Sequence, residues 1–148
     1  MSSKSDRDLV RDVISNGRYL VLSTTDGTEP WAAPLEYLHD EELNFYFLST
    51  DDCRHARHIR MNPAVALVIF DVTQPAYSPD LSAPLRGVQI IASAAQLSPE
   101  EHPKRVVEAI EALKPPMPPY QVFKVTPSIF YLPKVVNGIN QRVEVQMT

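Results

Sequence analysis

Apolar residues recur along this chain with two different periods. Helical spacing marks two segments, with Leu9, Val10, Val13 and Ile14 in the first and Val106, Val107, Ile110 and Leu113 in the second. Ser5 is placed to cap the first helix, and Asn16-Gly17 predicts a left-handed stop. The second helix follows Ser98-Pro99-Glu100-Glu101, which combines a cap, an early proline and a capping-box glutamate. We therefore expect an amphipathic helix at each place.

Runs rich in β-branched and aromatic residues predict strands over 19–24, 31–38, 43–48, 64–70, 87–97, 120–125, 128–132 and 142–146. Asp26-Gly27 is a tight-turn signal that makes a hairpin of the first two runs. Pro34 interrupts the second run, because proline has no N–H for a ladder; it marks an edge, a bulge, or a place where a ligand replaces the neighbouring strand. The run Ala64 to Phe70 is continuously apolar, which predicts a buried strand.

The middle of the chain changes period. Thr50 or Asp51 can cap a short helix that runs to about Met61, and Asn62-Pro63 ends it, since the residue before a proline avoids helical geometry. Seven or eight strands and three short helices result. The succession of hairpin-like strands predicts a mainly β (α+β) fold, an antiparallel barrel rather than a βαβ sheet. Segment 71–84 holds three prolines and no periodicity, so we expect a loop that is either a functional lid or simply mobile.

Composition narrows the class of protein. A chain of 148 residues without an internal linker predicts a single domain over 1–148, and 44% hydrophobic residues argue against disorder. The formal net charge of −4 disfavours general nucleic-acid binding, which depends on neutralising many phosphates. Cys53 stands alone, which excludes an intrachain disulfide, and no apolar run has the ~18 residues of a membrane span. We expect a cytoplasmic protein with no nucleic-acid or membrane partner.

Candidate chemistry lies where the strand ending in Ser49-Thr50 passes at once into a helix. A helix N-terminus offers unpaired N–H groups and the positive end of a dipole, which together form an anion site. The two hydroxyls add donors, and Arg54 and His55 add positive charge. A terminal phosphate needs this combination.

A second interpretation of the same residues stays open. Asp51 and Asp52 are good capping residues and can satisfy those N–H groups themselves. Arg54, Arg57 and Arg60 would then form a solvated face.

Other residues allow further hypotheses. Cys53, His55 and His58 form a weak metal pattern that lacks a fourth ligand, so we predict no metal. We expect Cys53 to be a small buried residue rather than a nucleophile. Trp31 and Tyr37 can stack on a ligand, although most aromatic residues of barrel strands belong to the core or to an interface. Glu36 is expected to point outward.

The order of these motifs resembles the pyridoxamine 5′-phosphate oxidase-like proteins, the FMN-binding split-barrel family, and its short, general-stress-type members in particular. The resemblance rests on Ser49, Cys53-Arg54-His55, Asn62-Pro63 and the apolar strand after them, on Pro30 to Leu35, on Arg86 to Gln89, and on 123–127 and 142–145. It covers nearly the whole chain. It implies an antiparallel split β-barrel with short peripheral helices that forms a homodimer, with FMN in a groove between the subunits.

The resemblance also implies roles for individual residues. Ser49, Thr50, Arg54 and His55 would hold the phosphate. The backbone of Ala33, Pro34, Leu35 and Glu36 would run along the isoalloxazine ring, and Gln89 would reach the ring or the ribityl chain.

Two departures from the family pattern qualify that expectation. His55 replaces the usual lysine, so we expect a weaker and pH-dependent grip on phosphate. The extended C-terminal segment that binds substrate in true pyridoxamine 5′-phosphate oxidases is absent, so oxidation of vitamin B6 is not expected. Three hypotheses remain: an FMN-dependent oxidoreductase of a small molecule, a non-catalytic flavin-binding or stress-response protein, and a relative that uses the groove for F420 or haem, with His55 or His58 as the axial ligand.

Overall fold

A computed structural model of the chain describes residues 4–71, 86–113 and 119–148. Within these ranges the helices are α1 (Asp6–Asn16), α2 (Arg54–Met61) and α3 (Lys104–Ala112). The strands are β1 (Tyr19–Thr25), β2 (Pro30–Glu36), β3 (Leu38–His39), β4 (Phe45–Thr50), β5 (Ala64–Phe70), β6 (Gly87–Leu97), β7 (Tyr120–Val136) and β8 (Ile139–Val145). Every strand pairs antiparallel with its neighbour. The predicted mainly β split barrel with short peripheral helices is therefore confirmed.

The strand order explains how the barrel is both closed and split. The sheet runs β2-β1-β5-β6-β7-β4-β3, with β8 added on β7. Its two terminal strands, β2 and β3, follow each other in the chain with only Tyr37 between them. The sheet therefore curls round until its ends meet at Tyr37. Away from this corner, β2 and the end of β4 have no ladder between them among the described residues.

Tyr37 secures the corner. Its side chain is buried, its hydroxyl donates a 2.6 Å hydrogen bond to the carbonyl of Ile14 at the end of α1, and its ring meets Phe45 edge to face. Burial raises the pKa of Tyr37 to about 12, so the hydroxyl keeps its proton and remains a donor.

The barrel interior is filled by alternate strand residues and closed by helix faces. The fully buried side chains include Leu20, Leu22, Phe45, Leu67, Ile69, Val88, Ile90 and Phe123. α1 contributes Val10, Val13 and Ile14, and α2 contributes Ala56 and Ile59. α2 therefore packs into the core along one side and leaves its arginines exposed on the other.

Local expectations held where short-range chemistry decides the conformation. Ser5 caps α1 by accepting from the amide of Asp8 at 3.1 Å, and Gly27 adopts a positive φ of 101° in the hairpin turn. α2 ends at Met61 before Asn62, and β5 and β6 have the predicted bounds. The capping box at Ser98 and Glu101 is present, but it opens a short 3₁₀ turn, and α3 begins only after Pro103.

Other expectations were wrong. Gly17 is extended (φ −77°, ψ 155°), so α1 has no left-handed stop. The strand predicted over 43–48 is β4, which begins only at Phe45 because Leu43, at φ 64°, belongs to the preceding turn. The two runs predicted after residue 120 form one long strand, β7, whose ladder with β6 shifts register between Ile91 and Ala92.

β5 is not buried on both faces as its apolar run predicts. Its interior face is buried at Val65, Leu67 and Ile69, whereas Ala64, Ala66 and Phe70 are exposed. A solvent-exposed apolar face on a central strand indicates a surface that another molecule can cover.

The predicted loop over 71–84 lies outside the described residues except for Asp71. That residue is buried, its carboxylate lies 2.8 Å from the Arg86 guanidinium, and its amide donates to the Arg86 carbonyl. No helix within the described ranges is long and apolar enough to span a membrane.

Candidate functional site

The N-terminus of α2 is free of a side-chain cap. Cys53 is the N-cap residue, with extended backbone (φ −70°, ψ 157°), and its side chain makes no capping hydrogen bond. The first intrahelical bond runs from the amide of Arg57 to the carbonyl of Cys53. The expected capping by Thr50 or Asp51 is therefore wrong. The amides of the first turn are left to water or to an anion.

The two aspartates of the turn are held away from these amides. Arg60 donates to Asp51 twice, to Oδ1 at 2.6 Å and to the backbone carbonyl at 2.8 Å, and it also binds Gln96. Arg57 donates to the backbone carbonyl of Asp52. The interpretation in which the aspartates cap the helix themselves is not observed, because the Asp51 carboxylate binds Arg60 and neither carboxylate accepts from a backbone amide of the first turn.

Arg54 differs from the other two arginines of α2. Its guanidinium carbon lies 4.3 Å from the centre of the Trp31 ring on β2, within the range of a cation–π contact. It makes no hydrogen bond or ion pair with any residue that the structure describes. The guanidinium is thus exposed at the uncapped end of a helix, with its N–H groups available to an anion.

Ser49, Cys53 and His55 form a compact polar cluster beneath the turn. The Ser49 hydroxyl lies 2.6 Å from Cys53 Sγ and 3.0 Å from His55 Nε2, and it reaches the Thr50 carbonyl at 3.0 Å. Ser49 points into the barrel and is buried, whereas Thr50 points the other way and is half-buried. The Ser49 hydroxyl is therefore occupied internally, and only Thr50 presents a hydroxyl toward the outside.

His55 does not supply the surface charge expected from the sequence. It is 9% exposed, and its ring meets Phe47 edge to face at 5.8 Å. Burial, helped by the nearby His58, lowers the pKa of His55, so the neutral imidazole is favoured near pH 7. The expectation that His55 adds positive charge at the phosphate is therefore wrong. The imidazole instead contacts the Ser49 hydroxyl from the interior side of the turn.

His58 is also turned inward. It is 5% exposed, and its Nδ1 lies 3.0 Å from the Thr24 hydroxyl on β1. The weak metal pattern of Cys53, His55 and His58 forms no ligand set, and no group of three or more His, Cys, Asp or Glu side chains within the described ranges is arranged to hold a metal ion. Neither imidazole faces an open groove as an axial ligand would.

The β2 segment has the edge position that Pro34 predicts. Of the strands that the structure describes, only β1 pairs with β2, and Pro34 lies opposite Val21. Ala33 points into the core, Leu35 is half-buried, and Pro34 and Glu36 are exposed. Glu36 points outward as expected and lies 3.1 Å from Arg18. The free edge of β2 leaves backbone groups available along the split.

Gln89 lies apart from the other candidate residues. It shares the outward face with Pro34 through the cross-strand neighbours Val21 and Val68, but it is three strands away, roughly 14 Å at the usual strand spacing. Its Oε1 accepts a 2.8 Å hydrogen bond from Arg142. One chain therefore does not bring Gln89 to the β2 segment around Pro34.

A groove of about 330 Å³ opens where β2 and β4 part. Glu36, Tyr37 and Leu38 line one side, Tyr46 to Leu48 another, and Val106, Ala109 and Leu113 flank it from the region of α3. A second groove, of about 360 Å³, lies near the C-terminus between α1, β7 and β8. Neither groove includes the start of α2, and of the candidate site residues only Glu36 lines one of them.

Sequence reasoning missed the partners of the arginines. Trp31 was considered only as a ligand platform or a packed residue, although its pairing with Arg54 crosses from β2 to α2. The contacts of Arg60 with Asp51 and of Thr24 with His58 were missed as well. A local pattern signals none of the three. The barrel brings Trp31 to Arg54 and Thr24 to His58, and the contact of Asp51 with Arg60 depends on how the turn folds back along α2.

Comparison with known proteins places the fold. A family model described as pyridoxamine 5′-phosphate oxidase matches residues 7–132. The chain is similar to a structure of a protein from Listeria innocua described as a putative pyridoxamine 5′-phosphate oxidase, with 21% identity, a TM-score of 0.67, and 86% of this chain and 98% of that chain covered.

Two further structures share the fold. A haem-binding protein from Mycobacterium smegmatis matches with 16% identity and a TM-score of 0.70, covering 99% of this chain and 60% of that one. An FAD-binding protein from Mesorhizobium loti matches with 16% identity and a TM-score of 0.61, covering 86% of this chain and 92% of that one. No curated protein sequence matches the chain.

Proposed function

Since the chain belongs to the pyridoxamine 5′-phosphate oxidase family, we propose that it binds FMN and that the phosphate is held at the start of α2. One observation carries the proposal. The first turn of α2 has no side-chain cap, and Arg54 stands beside it with no anionic partner among the described residues. Uncapped amides and a free guanidinium are the two components of a phosphate site at a helix terminus.

The roles within that site follow from burial. Arg54 would bind the phosphate directly through its guanidinium, and Thr50 would offer its hydroxyl from the end of β4. Ser49 and His55 would act from beneath, holding the turn in shape through their mutual 3.0 Å contact. Because His55 is buried and burial lowers its pKa, it would contribute position rather than charge.

The isoalloxazine ring would lie along the free edge of β2. Within the described part of the chain, no second strand pairs with the segment Ala33 to Glu36, so its backbone groups are available to ring nitrogens and oxygens. The protein would supply binding and orientation, while the flavin supplies the redox chemistry. A small-molecule substrate has room in the groove beside Glu36 and Tyr37, which adjoins this strand.

A homodimer would complete the pocket. The outward face of the sheet carries several exposed apolar side chains, among them Tyr19 on β1, Phe70 on β5 and Ile91 on β6. An apolar surface of this kind is typical of an interface between subunits. Gln89 lies on the same face, so a second subunit is the means by which it would reach the cofactor.

Haem is the second candidate ligand, because one neighbour of the same fold is described as haem-binding. The geometry favours flavin, since His55 and His58 are both buried and hydrogen-bonded inside the barrel. An axial role for either would require α2 to open. F420 also carries a phosphate, which would bind the same uncapped amides. A non-catalytic flavin-binding or stress-response protein would bind flavin at the same site without turnover. Vitamin B6 oxidation stays outside the proposal.

The ligand released when the purified protein is denatured tests this assignment. We expect a flavin absorption spectrum in the native protein and the mass of FMN in the supernatant. A Soret band would replace the flavin proposal with haem, and the mass of F420 would replace FMN. Reduction of bound flavin by a nicotinamide donor, followed by turnover with an acceptor, would separate an oxidoreductase from a binding protein.

A further inference from the structure

Trp31 joins two parts of the proposed site that are far apart in the chain. It belongs to β2, where it pairs with Thr24 of β1, and its ring is partly exposed at the free edge of the sheet. Arg54, the first residue of α2, lies over that ring at 4.3 Å. The contact fixes the start of α2 against the strand along which the flavin ring would lie.

The other two arginines of α2 are restrained in a different way from Arg54. Arg57 and Arg60 are held by hydrogen bonds to the backbone of the turn itself. Arg54 has no such bond within the described ranges, so the Trp31 ring is the group that restricts its long, flexible side chain. A cation–π contact uses none of the guanidinium N–H groups in a hydrogen bond, so these donors are left for an anion.

We propose that Trp31 is a positioning residue that holds the Arg54 guanidinium ready for the cofactor phosphate and so sets the preference of the protein for FMN over riboflavin. This inference rests on the proposed function. A side chain that is already restrained loses less freedom on binding, so the restraint strengthens the bound state. The benefit applies only to ligands that carry the phosphate.

The competing role for Trp31 is direct stacking on the isoalloxazine ring. That role would strengthen FMN and riboflavin binding equally, because the two ligands have the same ring. Positioning of Arg54 would strengthen FMN binding alone. The ratio of the two affinities therefore distinguishes the two roles, and a general loss of structure would not change that ratio selectively.

The experiment measures FMN and riboflavin dissociation constants by flavin fluorescence for wild type, Trp31→Leu, Trp31→Phe, Arg54→Ala and the Trp31→Leu/Arg54→Ala double variant. A cation–π contact at an exposed site predicts that Trp31→Leu weakens FMN binding by about 2- to 5-fold and leaves riboflavin unchanged. Trp31→Phe should fall between wild type and Trp31→Leu, because phenylalanine keeps a weaker π-face. In the Arg54→Ala background, Trp31→Leu should have no further effect.

Two results overturn the inference and are distinguishable from failure of the proposed function. Equal weakening of FMN and riboflavin binding in Trp31→Leu would assign the Trp31 ring to direct stacking on the flavin. If Arg54→Ala loses the preference for FMN over riboflavin while Trp31→Leu keeps it in full, Arg54 does not need the Trp31 ring to bind the phosphate. If wild type shows no preference for FMN over riboflavin, the proposed function fails together with the inference.

Trp31 is the only tryptophan in the chain, so its emission in the ligand-free protein also reports the contact. Arg54→Ala should change that emission, and Arg57→Ala should not.

Discussion

Thr24 and His58 are hydrogen-bonded inside the barrel, with 3.0 Å between the threonine hydroxyl and Nδ1 of the imidazole. The bond joins β1 to the buried face of α2, and both side chains are at least nine-tenths buried. It therefore fixes the angle at which α2 lies on the sheet, and through α2 the position of its N-terminus.

Replacing Thr24 with valine tests this link. The substitution keeps the shape of the side chain but removes the hydroxyl, which leaves a buried imidazole nitrogen without its partner. We expect the free energy of unfolding to fall by about 1–3 kcal/mol, measured by urea denaturation. Ser23→Ala, on the exposed face of the same strand, is the control and should change stability by less than about 0.5 kcal/mol. Equal effects of the two substitutions would show that the Thr24 bond contributes nothing.

The burial of His55 predicts a pH dependence of stability. Its pKa is lower in the folded chain than the ordinary value of 6.5 because burial, and then His58, disfavour the charged form. Well above pH 6.5 the imidazole is neutral in both states and has no effect. As pH falls below 6.5, the unfolded chain binds the proton first, so stability decreases until pH passes the folded-state pKa.

Urea denaturation between pH 7.5 and 5 measures this effect, since the lowered carboxyl pKa values of Asp26, Asp40 and Glu101 act at lower pH. His55→Gln should flatten the slope in this window relative to wild type. An unchanged slope would mean that His55 is not the group that titrates.

The negative charges of the turn should oppose the phosphate. Asp52 is exposed, immediately precedes the N-cap residue, and its carboxylate accepts no hydrogen bond from the amides of the first turn of α2. Asp52→Asn should therefore tighten FMN binding by about 2- to 5-fold at low salt, and the gain should shrink as salt screens the charge. Glu41→Gln makes the same charge change beyond the far end of β4 and should have little effect. Equal gains in both variants would indicate an effect of net charge alone.

The exposed apolar face predicts the oligomeric state. We expect sedimentation to show a dimer that Ile91→Asp converts to a monomer, because a charge would be buried at the centre of the interface. Val107→Asp, at an exposed apolar position on α3, is the matched control and should leave the dimer intact. A wild-type monomer at working concentration would contradict the proposed arrangement of the cofactor between subunits.

The parts of the structure that were predictable from sequence are those decided within a few residues. Asp26-Gly27 predicts its turn because a positive φ favours glycine, and Asn62-Pro63 predicts the end of α2 because proline restricts its predecessor. For β5 the predicted bounds are correct, but the predicted burial of both faces is wrong. An apolar run shows that a strand is apolar on both faces, and does not show whether the same chain covers both.

The candidate site was predictable only in outline. The strand-to-helix turn at Ser49 and Arg54 was recognised from residue types, but which hydroxyl or cation faces outward depends on the pleat of β4 and the rotation of α2. Those orientations turn Ser49 and His55 inward and leave Arg54 outside. The partner of Arg54 lies 23 residues earlier on another element, a distance that no local pattern spans.

The central claim is that Arg54 at the open end of α2 binds the phosphate of FMN. The most direct measurement is the FMN dissociation constant of Arg54→Ala beside that of Arg57→Ala, which removes a neighbouring arginine from the same helix. Loss of a charged hydrogen bond predicts a weakening of about 10- to 150-fold in Arg54→Ala and a much smaller change in Arg57→Ala. If the two variants bind FMN as tightly as wild type, or weaken it equally, the phosphate is not held at this turn.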